Sequence, residues 1–349
     1  MLDVNSGAVH LLDDISYAVS GLIDENMAEA CPQSVVDALA QYPADEVREA
    51  YNELYELKKA GQLFAEDDYI DVSRYIPVGA PVKALCLHVA HDCNLRCTYC
   101  FASTGDFGKG RKIMPPEVAK KAIDFVIARS GKRHNIEVDF FGGEPLMAMD
   151  TVKKTVEYAR SIEEEHNKCF RFTITTNGVL LNDENIEYIN REMSNAVLSI
   201  DGRKEVNDDL RPTVNGKGSY DVIVPKFQKL IEGRGTKDYY LRGTFTRFHQ
   251  DFAEDVKALA SIGRNISVEP VVGKEDDPYA LQEADLPALK AEYERLAEYL
   301  RDHPETNFFH FNVDLAQGPC VIKRLRAAGR AASMWLSPRR GTFTPATSL

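Results

Sequence analysis

Apolar side chains recur along this chain with two different rhythms. In the first seventy-odd residues the period is helical: Val47, Tyr51, Leu54 and Leu57 fall three or four apart, which predicts a helix over 44–60. Shorter helical stretches are expected over 15–23 and 33–40, and Gly61 stands where a glycine in the left-handed conformation would end the third helix. Ahead of them, two apolar runs flank Asn5-Ser-Gly7, the pattern of a hairpin over 2–12. From Ala84 onward, short strand-like runs alternate with helical ones. Strands are expected near 85–90, 136–141, 172–175, 197–200, 239–246 and 266–271. Helices are expected near 116–128, 150–165, 182–191, 220–231 and 252–262, with another over 286–300. Six such repeats imply an α/β fold, a parallel sheet with helices outside, whose site would form at the carboxyl ends of the strands.

A hairpin followed by three small helices has the outline of a winged helix-turn-helix, a shape often used on DNA. Charge argues against that use here. The net charge is −12, and up to Tyr75 sixteen Asp and Glu face four Lys and Arg, while the remainder balances at 38 of each sign. A surface so acidic repels phosphates, so no nucleic acid partner is expected. Two readings of the segment stay open: capture of an extended peptide by strand addition at the hairpin edge, or a helical cap that stabilises the barrel. Length and the charge asymmetry together argue for separate domains.

The first residues carry no basic stretch with an apolar run behind it, and nothing downstream approaches a membrane span, so no membrane partner is expected. Seven Cys, an odd number with three clustered, point to a reducing, cytoplasmic setting rather than a disulfide framework. Of the others, Cys31, Cys86 and Cys169 read as small buried apolar residues.

The three clustered cysteines carry the chemistry. Cys93, Cys97 and Cys100 lie in Leu87-His-Val-Ala-His-Asp-Cys-Asn-Leu-Arg-Cys-Thr-Tyr-Cys-Phe101, directly after the first predicted strand of the alternating region. Iron–sulfur clusters are normally held by four thiolates, and no fourth Cys lies close downstream, so one iron would remain open to a substrate or cosubstrate. A zinc knuckle needs a second pair of ligands, and the sequence offers no such pair. Further motifs end later strands: Phe141-Gly-Gly-Glu-Pro145, where glycines allow close backbone approach and Glu144 can accept from an ammonium group; Thr175-Thr-Asn-Gly178, which also reads as a simple turn; and Ser199-Ile-Asp-Gly202. His88, His91 and Glu269 would lie near strand ends too, where packing or polar satisfaction explains them as well as chemistry does.

CxxxCxxC with an aromatic before the last Cys, followed in order by these motifs, resembles the radical SAM enzymes. The resemblance implies a partial (β/α)6 barrel and a [4Fe–4S] cluster on Cys93, Cys97 and Cys100, whose open iron chelates S-adenosyl-L-methionine. It further implies cosubstrate contacts from Tyr99, Gly142, Gly143, Glu144, Ser199, Asp201 and Arg211, with Glu144 on the methionine amino group and Arg211, or else Arg203, on its carboxylate. One electron from the cluster, delivered by a donor such as ferredoxin or flavodoxin, would cleave the cosubstrate to methionine and a 5′-deoxyadenosyl radical that takes hydrogen from a substrate. No catalytic base can be named.

The resemblance extends through Asp3-Val-Asn-Ser-Gly-Ala-Val-His10 and Val313-Asp-Leu-Ala-Gln-Gly-Pro-Cys320-Val-Ile-Lys-Arg-Leu325 to the maturases of SCIFF peptides, Cys-rich precursors in which a Cys sulfur is joined to the α-carbon of a Thr as a thioether. It implies precursor-peptide recognition by residues 1–75, the barrel over 76–312, and the start of a SPASM-type auxiliary-cluster domain over 313–349 with Cys320 as a ligand. Another protein maturase of the sulfatase-activating type, or a peptide-binding protein that no longer turns over, are the other readings.

The last residues depart from that pattern. From Ala327 the chain is expected to be read in a shifted frame, the other reading being a natural, unrelated tail: Ser333–Leu349, back-translated with freely chosen codons and regrouped with one base added, can give Glu-Tyr-Val-Ala-Val-Thr-Pro-Glu-Gly-Asp-Ile-Tyr-Pro-Cys-His-Gln-Phe, which resembles the family's cluster-binding segment. Met334 and Trp335 have one codon each and force the Val. The auxiliary [4Fe–4S] clusters would then lack most of their ligands.

Overall fold

The computed structural model describes residues 1–66 apart from Val4, residues 81–274 and 276–312, and two short strands at 334–337 and 344–345. Two compact units divide between residues 78 and 79.

In the first unit a one-bridge hairpin pairs Leu2 with Val9. Its turn is held by Asp3, whose carboxylate accepts from the Ser6 N–H at 2.7 Å and the Ser6 hydroxyl at 2.8 Å. Helices α1 (Asp14–Ser20), α2 (Gln33–Ala38) and α3 (Ala44–Lys59) come next. Val47, Ala50, Tyr51 and Leu54 of α3 are buried in a small core with Val19, Val35 and Val36, while Leu57 is only partly covered. Gly61, at φ +69°, closes α3: the Gln62 N–H donates to Leu57 O and the Gly61 N–H to Lys58 O, the bond pair of a Schellman cap. Helix α1 stops three residues short of the expected end, where the Gly21 N–H donates to Val19 O.

The second unit carries β1 (Ala84–His91), β2 (Lys112–Ile113), α4 (Pro116–Arg129), β3 (Asn135–Gly142), α5 (Met149–Ile162), β4 (Cys169–Thr176), α6 (Asp183–Glu192) and β5 (Asn195–Ser199). It continues with α7 (Lys204–Leu210), α8 (Tyr220–Glu232), β6 (Asp238–Phe245), α9 (Phe252–Ala260), β7 (Asn265–Pro270), α10 (Leu286–Asp302) and β8 (Asn307–Phe308), followed by β9 (Met334–Ser337) and β10 (Thr344–Pro345). Strands β1, β3, β4, β5, β6, β7 and β8 are neighbours in that order, each pair parallel. This is the parallel α/β sheet expected from the alternating pattern, and it agrees with the partial barrel that the resemblance implies. Strand β9 adds in parallel to the outer edge of β1, β10 pairs antiparallel with β9, and β2 pairs antiparallel with β1.

Alternation along the strands sorts the two faces of the sheet. In β3, Ile136, Val138 and Phe140 are buried in the main core, whereas Glu137, Asp139 and Phe141 on the other face are only half-buried. Phe140 and Phe170 flank Phe172 at centroid distances of 5.7 and 6.1 Å, making the strands one layer of stacked aromatic and aliphatic groups under the helices. Helix α7 has no counterpart among the expected elements, because its seven residues carry an apolar pair only at Val206 and Leu210. Cys86 is buried as expected; Cys31, in the loop between α1 and α2, and Cys169, on the more open face of β4, are only half-buried. No helix among the described residues is long and apolar enough to cross a membrane.

Candidate cofactor site

The loop that leaves β1 is stitched down on both sides. On one side the Gly143 N–H donates to Ala90 O at 2.7 Å and the Glu144 N–H to Asp92 O at 2.8 Å. A Cβ on Gly142, whose φ is +134°, would meet Ala90 O at 2.2 Å, and one on Gly143 would meet Asp92 O at 2.1 Å. The two glycines do line the cleft, but it is the chain's own loop, before any ligand, that requires them to lack a side chain. On the other side the Arg96 N–H donates to Pro212 O at 2.8 Å and the Thr98 N–H to Leu210 O at 2.9 Å, next to a bridge between Leu95 and Thr213. There the Tyr99 hydroxyl donates to Asp201 Oδ2 at 2.7 Å and accepts from Arg211 Nη1 at 2.8 Å.

Between these attachments lies a cleft of about 130 Å³. Cys93, Cys97, Cys100, Tyr99, Gly142, Gly143, Glu144, Ser199 and Arg211 all line it. Asp201 stands behind, fully enclosed, with Arg211 at 3.6 Å and the Thr244 N–H at 3.0 Å. Arg203, the other candidate for the carboxylate, is engaged elsewhere: its Nε donates to Asp255 at 2.9 Å and its Nη2 to Asp251 at 2.8 Å. Cys320, and all of the tail from 327 except the backbone of β9 and β10, lie outside the described residues.

Burial sets the electrostatics. The Glu144 carboxyl is pushed up by desolvation, against the pull of three donors: the Asn177 N–H at 2.8 Å, the Thr176 hydroxyl at 2.7 Å and the Leu146 N–H at 3.0 Å. Burial likewise pushes Asp201 up, opposed first by Arg211 and then by Tyr99. The Arg211 guanidinium keeps one buried Nε without a hydrogen-bond acceptor. An unmet donor on a buried cation beside a cleft is suited to an anionic ligand.

The thiols fit a cluster better than a single ion. Among the described residues no three His, Cys, Asp or Glu side chains converge as ligands of one metal ion, yet the three thiols share one cleft, as a cluster taking one thiolate per iron requires. Desolvation pushes Cys93 up to about 12 and also raises Cys97, so thiolates here need the positive charge that bound iron brings. Two donors already point at one sulfur: the Leu95 N–H lies 3.4 Å from Cys93 Sγ and Asn177 Nδ2 lies 3.6 Å from it.

Thr175 and Asn177, in a stretch whose sequence reads equally well as a simple turn, are cleft residues. Their place at the end of a strand is the signal that sets them apart. Conversely, His88 and His91 do not line the cleft: both are buried against the Phe107 ring at 4.8 Å, and burial lowers His88 to about 4. Glu269 is satisfied by Arg242 at 2.7 Å and the Ser267 hydroxyl at 3.3 Å.

Residues 87–243 match the Radical SAM superfamily. This stretch is a radical SAM domain. The chain is 37% identical over 139 residues to an uncharacterized protein of Methanocaldococcus jannaschii, a match covering 40% of this chain and 45% of that protein. It is 28% identical over 193 residues to the radical SAM cyclopropyl synthase TigE of Paramaledivibacter caminithermalis, covering 51% of this chain and 40% of TigE. The matches thus span under half the length of both curated relatives. The fold is shared with Streptococcus suis SuiB, whose structure with the precursor peptide SuiA superposes at a TM-score of 0.56 and 16% identity, covering 96% of this chain and 77% of SuiB. In this chain the radical SAM domain holds every residue that lines the cleft.

Proposed function

We propose that this chain is a radical SAM peptide maturase that forms a Cys-to-Thr α-carbon thioether in a ribosomally made, Cys-rich precursor peptide. The observation that carries the reading is the convergence of three thiols, the Glu144 carboxylate and the Arg211 guanidinium on one cleft. That set matches a cluster with an open iron next to the ammonium and carboxylate of an amino-acid cosubstrate. When bound, the cluster supplies the electron for reductive cleavage of S-adenosylmethionine, drawn in turn from a ferredoxin- or flavodoxin-type donor.

The protein's part is placement. Glu144, fixed by three donors, accepts from the ammonium group, and Arg211, held by Tyr99 and Asp201, donates to the carboxylate. Ser199 offers a hydroxyl at the cleft end of β5. The walls keep water from the bond that breaks, and the substrate enters from the open side.

Peptide capture belongs to residues 1–75 in this reading. Leu2, Val9 and Leu11 of the hairpin and Tyr17 of α1 are exposed, an apolar margin to which an extended leader could add as a strand. SuiB, solved with a precursor peptide, supports a peptide substrate for this chain.

The test is an anaerobic assay with dithionite, S-adenosylmethionine and a Cys-rich precursor. Deoxyadenosine together with a peptide lighter by two hydrogens is expected. Conversion of a peptide Cys to an aldehyde would transfer the reading to the sulfatase-activating type. Peptide binding with an intact cluster but no deoxyadenosine would leave a binding protein. Salt-sensitive DNA binding by residues 1–75, with no peptide binding in fluorescence anisotropy, would overturn the capture role.

A further inference from the structure

Resting on the cluster assignment just made, we propose that Asn177 is a positioning residue that donates a hydrogen bond to the sulfur of Cys93 and thereby sets the reduction potential of the cluster. The side chain is 5% exposed at the end of β4. Its amide is fixed in both orientation and place. Oδ1 accepts from the Val179 N–H at 3.0 Å, a bond that a flipped amide could not make, so Nδ2 faces the cysteine loop. The two Nδ2 hydrogens then have two acceptors, Asn94 Oδ1 at 2.8 Å and Cys93 Sγ at 3.6 Å. The backbone N–H of the same residue donates to Glu144 Oε2 at 2.8 Å. One residue therefore holds the carboxylate proposed for the cosubstrate's ammonium and touches a sulfur proposed as a cluster ligand.

The physical consequence comes from charge. A donor on a ligating sulfur stabilises the more negative, reduced cluster, so it raises the potential; hydrogen bonds to sulfur are among the levers that set these potentials. The Leu95 N–H on the same sulfur belongs to the backbone and remains in side-chain variants. Cys97, by contrast, is influenced through space by the Arg211 charge. Asn177 is thus a side-chain handle on one corner of the cluster.

The experiment compares the reconstituted full chain with Asn177→Ala, which removes the donor without adding charge, and with Asn177→Asp, which keeps the shape and the Oδ1 acceptor but puts a negatively charged oxygen where the donor was. Iron content, visible absorbance and an electron paramagnetic resonance titration against poised potentials are read for each. With iron retained, the ratio of reduced to oxidised cluster at one fixed potential should fall about tenfold in Asn177→Ala, which for one electron is a shift of ~59 mV to more negative values, and further in Asn177→Asp, whose charge adds to the loss of the donor. Unchanged potential with an intact cluster overturns the inference. If a variant loads no iron, the wild-type protein decides alone: its reduced cluster should show a magnetic coupling to the side-chain nitrogen of labelled asparagine, and absence of that coupling overturns the inference. A wild-type chain that takes up no iron sinks the cluster assignment itself, which is a separate result.

Discussion

The two walls of the cleft are built on opposite principles. One wall, Gly142 to Glu144 against Ala90 and Asp92, is backbone on backbone, with no room for a Cβ. The other is a network of side chains that joins Tyr99 to Asp201 and Arg211, both over a hundred residues later in sequence. A wall that depends on missing atoms fails sharply when one is added. A wall of hydrogen bonds weakens in steps.

That contrast predicts a ranking. Gly143→Ala should be the most damaging change, because its Cβ meets the carbonyl oxygen of Asp92 at 2.1 Å and backbone cannot swing aside as a flexible side chain can. Iron taken up on reconstitution should fall at least tenfold, read by iron analysis and absorbance. Near-normal iron in that variant would show that the glycine wall is softer than the geometry says. Phe172→Ala, in the aromatic layer beneath both walls, should cost about 3–5 kcal/mol in urea unfolding, since it leaves a cavity between Phe140 and Phe170. Asp201→Ala comes next: removing the carboxylate leaves the Arg211 charge buried, at a cost of about 3 kcal/mol. Tyr99→Phe removes only the hydroxyl between the two and should cost about 1–2 kcal/mol. Equal losses from Asp201→Ala and Tyr99→Phe would contradict the stepwise character of this wall.

The smallest effect depends on pH. Burial, with help from Glu137, raises Asp139 from 3.8 to about 6, although Thr173 pulls it down. In the unfolded chain this carboxyl loses its proton near 4, in the folded chain only near 6. The folded state therefore holds the extra proton between those values, and Asp139 removes stability as pH rises through that window. Asp139→Asn should gain on the wild type by about 2 kcal/mol between pH 4 and pH 6.5 and then level off. A stability difference that does not change with pH would contradict the poorly solvated setting of the half-buried Asp139 carboxyl.

The same contrast explains how much of the molecule is legible in the sequence. The strands of the barrel are visible because alternation in runs such as Ile136, Val138 and Phe140 is imposed locally by the pleat. The glycine wall is visible as a motif, since close approach leaves glycine no substitute at 142 and 143, although the partner of that approach is not. Spacing does not separate Arg211 from Arg203. The choice is made by Asp255 and Asp251, which hold Arg203 away from the cleft, and nothing in the local sequence announces them. Asn177 is inconspicuous because Asn-Gly is also a common turn, and its significance comes from Cys93, 84 residues earlier.

The claim on which the cleft's chemistry rests is that Cys93, Cys97 and Cys100 hold one [4Fe–4S] cluster with an open iron. Anaerobic reconstitution of the wild type and of the variant with all three changed to Ala measures it most directly. The account predicts about four iron atoms per chain on these three residues in the wild type. The reduced cluster's resonance should change when S-adenosylmethionine is added, and the triple variant should show neither iron absorbance nor cosubstrate cleavage. A triple variant that keeps its cluster would contradict it.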